Sequence, residues 1–184
     1  MSPRILLFDP ADRFVVGTVG QPGERTFFIQ AEQGARLISV SLEKAQVQAL
    51  AERLIYMVRE IKQSNPLAPI DKVARDEAPL STPIEEEFRV GVIGLAYDDA
   101  RNVIQIDLQA VTDSDSDEEI EFIDVDDLSA DQDILRVIIT PGRAESFAKR
   151  ANVVVGAGRL PCPFCGGPID PRGHLCPRAN GYRR

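Results

Sequence analysis

The chain has 184 residues, of which 43% are hydrophobic and 27% charged, and its net charge is −8. That is enough apolar material for one ordinary domain or two small ones, and it excludes a globally disordered chain. The longest apolar runs, Ile5 to Phe8 and Val153 to Val155 among them, fall far short of the ~18 residues a membrane span needs. The reading is therefore a soluble, cytoplasmic protein with no membrane partner.

The apolar stretch at Ile5 to Phe8 is also too short for a secretory signal, and Asp9 follows it at once. Residues 13–19, 25–32 and 35–42 are rich in Val, Ile, Phe and Thr and are parted by Gln21-Pro22-Gly23-Glu24 and Gln33-Gly34. They predict a three-stranded meander. From Glu43 to Gln63 the apolar residues Val47, Leu50, Leu54, Val58 and Ile61 recur at spacings of 3 and 4. That is the period of an amphipathic helix, and Asn65-Pro66 ends it. Residues 64–85 contain Pro66, Pro69, Pro79 and Pro83 and read as a linker.

A second set follows. Strands are predicted at 88–97, 102–111 and 134–140, with Asp98-Asp99-Ala100-Arg101 as a hairpin turn. Pro141 then opens a helix that runs to Val155. Between the second and third of these strands, residues 113–133 hold eleven acidic residues and no Lys or Arg. Self-repulsion predicts an extended, mobile insertion, with Ile120 to Val125 as its one candidate strand. It reads either as a solvated loop or as a docking segment for a basic partner.

The two sets look alike. Phe14-Val15-Val16-Gly17-Thr18-Val19-Gly20 matches Phe88-Arg89-Val90-Gly91-Val92-Ile93-Gly94 at an offset of 74, and Leu50-Ala51-Glu52-Arg53 matches Phe147-Ala148-Lys149-Arg150 at an offset of 97. The acidic insertion accounts for most of the difference. The expected fold class is α+β: two repeated antiparallel β-meander plus helix units, 1–63 and 86–156, sharing a core. A C-terminal zinc knuckle, 157–184, completes it. The repeated glycines read as bulges or close backbone crossings, since neither segment is a phosphate-binding G-x-G-x-x-G loop.

The chemistry concentrates in the tail. All three cysteines and the only histidine lie within Pro161-Cys162-Pro163-Phe164-Cys165-Gly166 and Gly173-His174-Leu175-Cys176-Pro177. Two thiolates three positions apart grip one ion from a tight turn, and Gly166 permits the positive φ that turn needs. Cys162, Cys165, His174 and Cys176 then form a Cys3His set for a structural zinc, although the His-x-Cys spacing is tight enough for water to replace one ligand. Free thiols in a loose tail and a Cys162–Cys165 redox pair are the alternatives. The Pro-Cys-x-x-Cys run matches half of a zinc-deaminase signature, but no His-x-Glu precedes it. With His174 in the metal set, no histidine remains for a nucleophile–base pair.

Charge is asymmetric as well. Residues 141–184 hold eight Arg and Lys against Glu145 and Asp170, a balance of +6, so residues 1–140 carry −14. The acidic body argues against nucleic-acid binding. In the extreme tail, Arg178, Asn180, Tyr182, Arg183 and Arg184 combine cationic forks with an aromatic, which suits a phosphate, a nucleotide or an acidic protein surface. Asp9, Arg13 and Arg25 are further candidates for a contact site.

These residues resemble a known family, the actinobacterial DUF3090 proteins, which have no established activity and are sometimes labelled repeat proteins. The resemblance rests on Phe8-Asp9-Pro10, Asp12-Arg13-Phe14, Gly17-Thr18-Val19-Gly20, Gly23-Glu24-Arg25-Thr26-Phe27-Phe28, Leu42-Glu43-Lys44, and the run from Gly173-His174 through Cys176-Pro177-Arg178-Ala179-Asn180-Gly181-Tyr182-Arg183-Arg184. It implies a role beside phosphoryl-transfer proteins, since genes of this family accompany those of a histidine-phosphatase-like and a lipid-kinase-like protein.

Two functions compete. One is a non-enzymatic binding or adaptor protein for a protein partner, whose knuckle fixes the Arg-rich tail. The other is an enzyme or phosphate/nucleotide-ligand-binding protein. Its site would lie in the cleft between the repeats, lined by Asp9, Arg13, Arg25 and the tail arginines.

Overall fold

The computed structural model describes residues 3–112, 121–128, 131–158, 161–167, 169, 174, 176 and 178. In chain order the elements are β1 (Ile5–Phe8), β2 (Arg13–Val19), β3 (Thr26–Gln33), β4 (Arg36–Leu42), α1 (Lys44–Ser64), β5 (Glu86–Asp98), β6 (Val103–Ala110), β7 (Glu121–Ile123), a 3-10 turn at Val125–Asp127, β8 (Ile134–Ile139) and α2 (Pro141–Gly156). The fold is α+β, a largely antiparallel sheet with two helices and the C-terminal Cys/His cluster. An order of three strands and a helix occurs twice, β2–β3–β4–α1 and β5–β6–β8–α2, with the three-residue β7 added to the second.

All eight strands belong to one sheet, ordered β1-β8-β6-β5-β4-β3-β2, with β7 paired to β5 off this path. The order forces curvature. β1 and β2 are consecutive in the chain yet lie at opposite ends of the sheet. A flat sheet of that order would part them by roughly 29 Å at ~4.8 Å per strand. The link from Phe8 to Arg13 reaches only about 18 Å when fully extended. The sheet must therefore curl until its ends meet. Two consecutive amides show it: Ala11 N–H donates to Ile138 O of β8 at 3.2 Å and Asp12 N–H to Glu32 O of β3 at 2.8 Å. The result is a partly closed barrel with one core.

Period-two alternation sorts the faces. Phe14, Val16, Phe27, Ile29, Ala31, Val40, Leu42, Ile104, Ile106, Leu108, Leu135, Val137 and Ile139 share a single apolar core with both helices. From α1 come Val47, Leu50, Leu54, Val58 and Ile61, the residues whose spacing marked the helix. From α2 comes Phe147, stacked on Phe14 with ring centroids 4.5 Å apart. Glu43 N–H donates to Gln46 Oε1 at 2.8 Å in a capping box at the start of α1. The Gln46 amide then reaches the carbonyls of Val90 and Gly91 at 3.1 and 3.2 Å, where β5 bulges against β6.

The opposite face mixes polar Gln30, Ser39, Asp107 and Gln109 with apolar Val15, Phe28 and Ile138, and two straps cover it. Residues 65–85 contain neither strand nor helix, yet they are pinned along their length. Ser81 N–H donates to Gln30 Oε1 at 2.8 Å, and Gln30 Nε2 returns to Ser81 O at 2.9 Å. Leu80 sits so close over Gly17 that a Cβ there would lie 2.6 Å from Leu80 Cγ. Asp71 accepts from Thr140 Oγ1 at 2.6 Å and from Gly142 N–H at 3.0 Å, at the start of α2. Over the second half of the sheet, Leu128 and Val125 press on Gly94 in the same way. This strap includes β7, so the downstream part of the acidic insertion is built into the sheet, while residues 113–120 and 129–130 lie outside the described residues.

Ion pairs hold the first strap. Asp76 takes Arg13 Nε at 2.7 Å and Arg150 Nη1 at 3.0 Å. The hydrogen bonds from Arg13 hold the Asp76 carboxyl below the usual carboxylate range. A carboxyl whose folded pKa is depressed stabilises the fold fully above its unfolded value, near pH 4, and loses that contribution as pH falls through the folded value. Stability from Asp76 should therefore be flat from pH 7 to about 5 and fall below about 4. Urea unfolding across pH is expected to show a shallower acid limb in Asp76→Asn than in wild type, and an unchanged limb would mean the pair carries no linkage.

Candidate metal centre

After α2 the chain turns at Pro163–Cys165, and two backbone bonds lock the turn. Gly166 N–H donates to Cys162 O at 2.8 Å, and Cys162 N–H to Gly167 O at 2.7 Å. Gly166 has φ +75°, which a side chain would resist. Gly167 packs beside the donors, since a Cβ there would meet Cys165 Sγ at 3.5 Å and His174 Cε1 at 3.6 Å.

The four predicted ligands converge. One ligand atom from each of Cys162, Cys165, His174 and Cys176 lies within 4.8 Å of all the others. Cys162 Sγ and Cys176 Sγ are 3.8 Å apart, and Cys165 Sγ lies 3.0 Å from His174 Nε2. A tetrahedral zinc with Zn–S bonds of ~2.3 Å has an S···S edge of about 3.8 Å, so the sulfur pair is spaced for zinc and far beyond a ~2.05 Å disulfide. Cys162 and Cys176 are buried, while Cys165 and His174 are half-buried, as a closed site at the protein surface requires. Backbone amides, those of Cys165 and then Phe164, hold the Cys162 thiol down to about 6. For Cys165 the Gly167 amide acts in the same direction, but burial and the two neighbouring thiols outweigh it and push the thiol up. The donor set therefore fits a metal ion and is consistent with zinc.

The other candidate residues take separate places. Arg178 is exposed and its Nη1 donates to Phe164 O at 3.2 Å, tying it to the knuckle turn. Asn180, Tyr182, Arg183 and Arg184 lie outside the described residues. Asp9 is gripped by Arg101 of the β5–β6 turn at 2.7 and 3.0 Å, which keeps its carboxyl below the usual range. Arg13 spends all five N–H groups on Asp76, Glu32, Ser81 and the carbonyls of Ala78 and Pro79. Arg25 stands apart from both, in a groove at the start of α1. No ion pair or hydrogen bond joins Asp9, Arg13 and Arg25 to one another among the described residues.

Sequence reasoning missed two buried charges. Arg150 donates Nε to Val16 O at 2.6 Å, on the open edge of β2, and Nη1 to Asp76 and to the carbonyls of Asp76 and Ala78. Asp107 is fully buried and takes Arg136 at 2.6 Å. The signal for Arg150 was its position, three residues after Phe147 on the core-facing stripe of α2. For Asp107 it was an acid on a strand flanked by Ile106 and Leu108.

No helix among the described residues is long and apolar enough to cross a membrane. No curated protein and no solved structure matches the chain. Residues 6–176 match the family described as protein of unknown function (DUF3090), a span that takes in the curled sheet, both straps and all four Cys and His donors, and the chain belongs to that family.

Proposed function

We propose that the protein is a non-enzymatic binding or adaptor protein of the cytoplasm, whose C-terminal zinc is structural and fixes the arginine-rich tail. The observation that carries this reading is the convergence of four protein ligands within 4.8 Å. When four protein groups fill a tetrahedral site, no position is left for an activated water, and the ion contributes folding energy rather than catalysis. The knuckle also presents an apolar handle. Phe164 is 63% exposed on the turn between the two cysteines, with Arg178 bonded to its carbonyl. An aromatic and an arginine held on a rigid turn lose little conformational freedom on docking, which is how interface anchors work. The partner we favour is a protein, in keeping with the phosphoryl-transfer neighbours that the family resemblance suggests. The twice-occurring strand–strand–strand–helix order supports descent of the body from one duplicated unit.

Elemental analysis of reduced, purified protein is expected to give about one zinc per chain. Cys162→Ser should lose the metal and the protease resistance of the segment beyond Gly158, with far-ultraviolet circular dichroism of the sheet unchanged. Metal at background level in wild type would overturn the proposal, as would a variant that loses zinc with the tail still protected.

A further inference from the structure

A groove of about 250 Å³ opens beside the first turn of α1, lined by Gly23, Arg25, Phe27, Glu43, Lys44 and Gly158. Three separate stretches build it: the entry to β3, the start of α1, and the exit of α2. Lys44 Nζ lies 3.7 Å and Arg25 Nη2 3.8 Å from the position a Cβ on Gly158 would take, so the two cations bracket one point. Neither has a carboxylate partner among the described residues. Elsewhere Arg4, Arg13, Arg75, Arg101, Arg136 and Arg150 each hold one. Other cations such as Arg53 and Arg59 also lack an acid, but Arg25 and Lys44 line one groove together, in a chain with 29 acidic residues and a net charge of −8.

The backbone adds to the imbalance. Lys44 is the first residue of the 21-residue α1, and that first turn carries no acid. A helix N-terminus presents free N–H groups and favours an anion, so a lysine there is on the wrong end of the dipole. The one carboxylate on the rim, Glu43, is turned to Arg89 at 3.1 Å. Arg25 is braced, its guanidinium lying 5.7 Å from the centroid of the buried Phe27 ring. The site is thus assembled from two cations and the start of α1, its one lining carboxylate, Glu43, is engaged in the helix cap and with Arg89, and it is larger than a bare phosphate fills.

We propose that this groove binds a phosphomonoester, with the phosphate held between Arg25 and Lys44 and the organic part lying along Phe27 and Gly158. Arg25 supplies paired N–H donors to two phosphate oxygens, Lys44 supplies a compact charge, and the start of α1 adds its dipole. This ligand site is independent of the metal centre and of any partner that the knuckle takes.

Isothermal titration of the full-length, zinc-loaded protein with phenyl phosphate, inorganic phosphate and acetate at matched ionic strength tests it. Saturable binding at one site is expected, tighter for phenyl phosphate than for inorganic phosphate and absent for acetate. Arg25→Gln and Lys44→Gln should each weaken phenyl phosphate binding at least tenfold, and Lys62→Gln, on the far end of α1, should leave it unchanged. In chloride buffer the double variant should melt no lower than wild type, because it relieves repulsion, a result that a merely structural role for the pair would not give. No saturable binding of either phosphate, equal binding of acetate, or full binding by the double variant would each overturn the proposal. So would a double variant that melts lower in chloride.

Discussion

Arg150→Met is expected to lower folding stability by about 3 kcal/mol, because it removes one side of a buried charged network and strands the other. Arg150 is 8% exposed and is the only side chain among the described residues that bridges α2, the open edge of β2 and the first strap. Methionine fills much the same volume, so the loss is electrostatic and not a cavity. The Val16, Asp76 and Ala78 carbonyls would each lose a donor, and the Asp76 carboxylate would keep Arg13 and the Ala78 amide. Asp76 is itself about one-third exposed, which places the cost at the lower end of the range for broken buried pairs. For a chain of this length the expected fall in Tm is roughly 6–12 °C. A double-mutant cycle with Asp76→Asn should be less than additive, since both changes release the same strap. A loss below about 1 kcal/mol would show that the network is a bystander.

Gly142→Ala should also destabilise, against the usual sign. Inside a helix this exchange ordinarily gains up to about 1 kcal/mol. Here the new Cβ would lie 1.9 Å from Asp71 O and 2.4 Å from Asp71 Oδ1. Backbone cannot swing aside as a flexible side chain does, so the strap must lift, and the bonds from Thr140 and Gly142 to Asp71 go with it. A loss of about 2–4 kcal/mol is expected from the urea midpoint, together with new proteolysis between Pro66 and Pro83. Gly156→Ala is the matched control. It sits at the other end of α2 with nothing within 4 Å of the added Cβ, and it should be neutral or slightly stabilising. Equal behaviour of the two variants would remove the close crossing as the cause.

Most of the strand and helix boundaries were readable because each carries its own period. β2 spans Arg13–Val19, as its apolar residues predict, and α2 begins at Pro141, with Thr140 as its cap. The Cys and His cluster was readable for a related reason, since all four of its donors fall in one short window whose turn chemistry is local. What stayed hidden depends on distant partners. β1 has four residues and no internal signal, and it becomes a strand only because Ile5 to Phe8 lie parallel to Ile134 to Val137. The proline-rich segment reads as a linker because it has no period, yet single contacts such as Leu80 over Gly17 and Ser81 on Gln30 bind it to the sheet. The glycines of the repeated motif were legible in kind: Gly91 falls in the β5 bulge, and Gly17 and Gly94 lie under apolar side chains.

The pairing of β1 with β8 also sets the order of events at the ribosome. Arg4 bonds to Asp133, 129 residues later, and β1 gains its ladder only beside β8. At ~5–20 residues per second, the first strand waits roughly 6–26 s for the last before it has a partner. During that wait the first meander and α1 can form, but the curl cannot close, and Leu6, Phe8 and the open edge of the young sheet stay available to other chains. A nascent chain stalled before residue 134 should therefore be a stronger chaperone client than one stalled after residue 158.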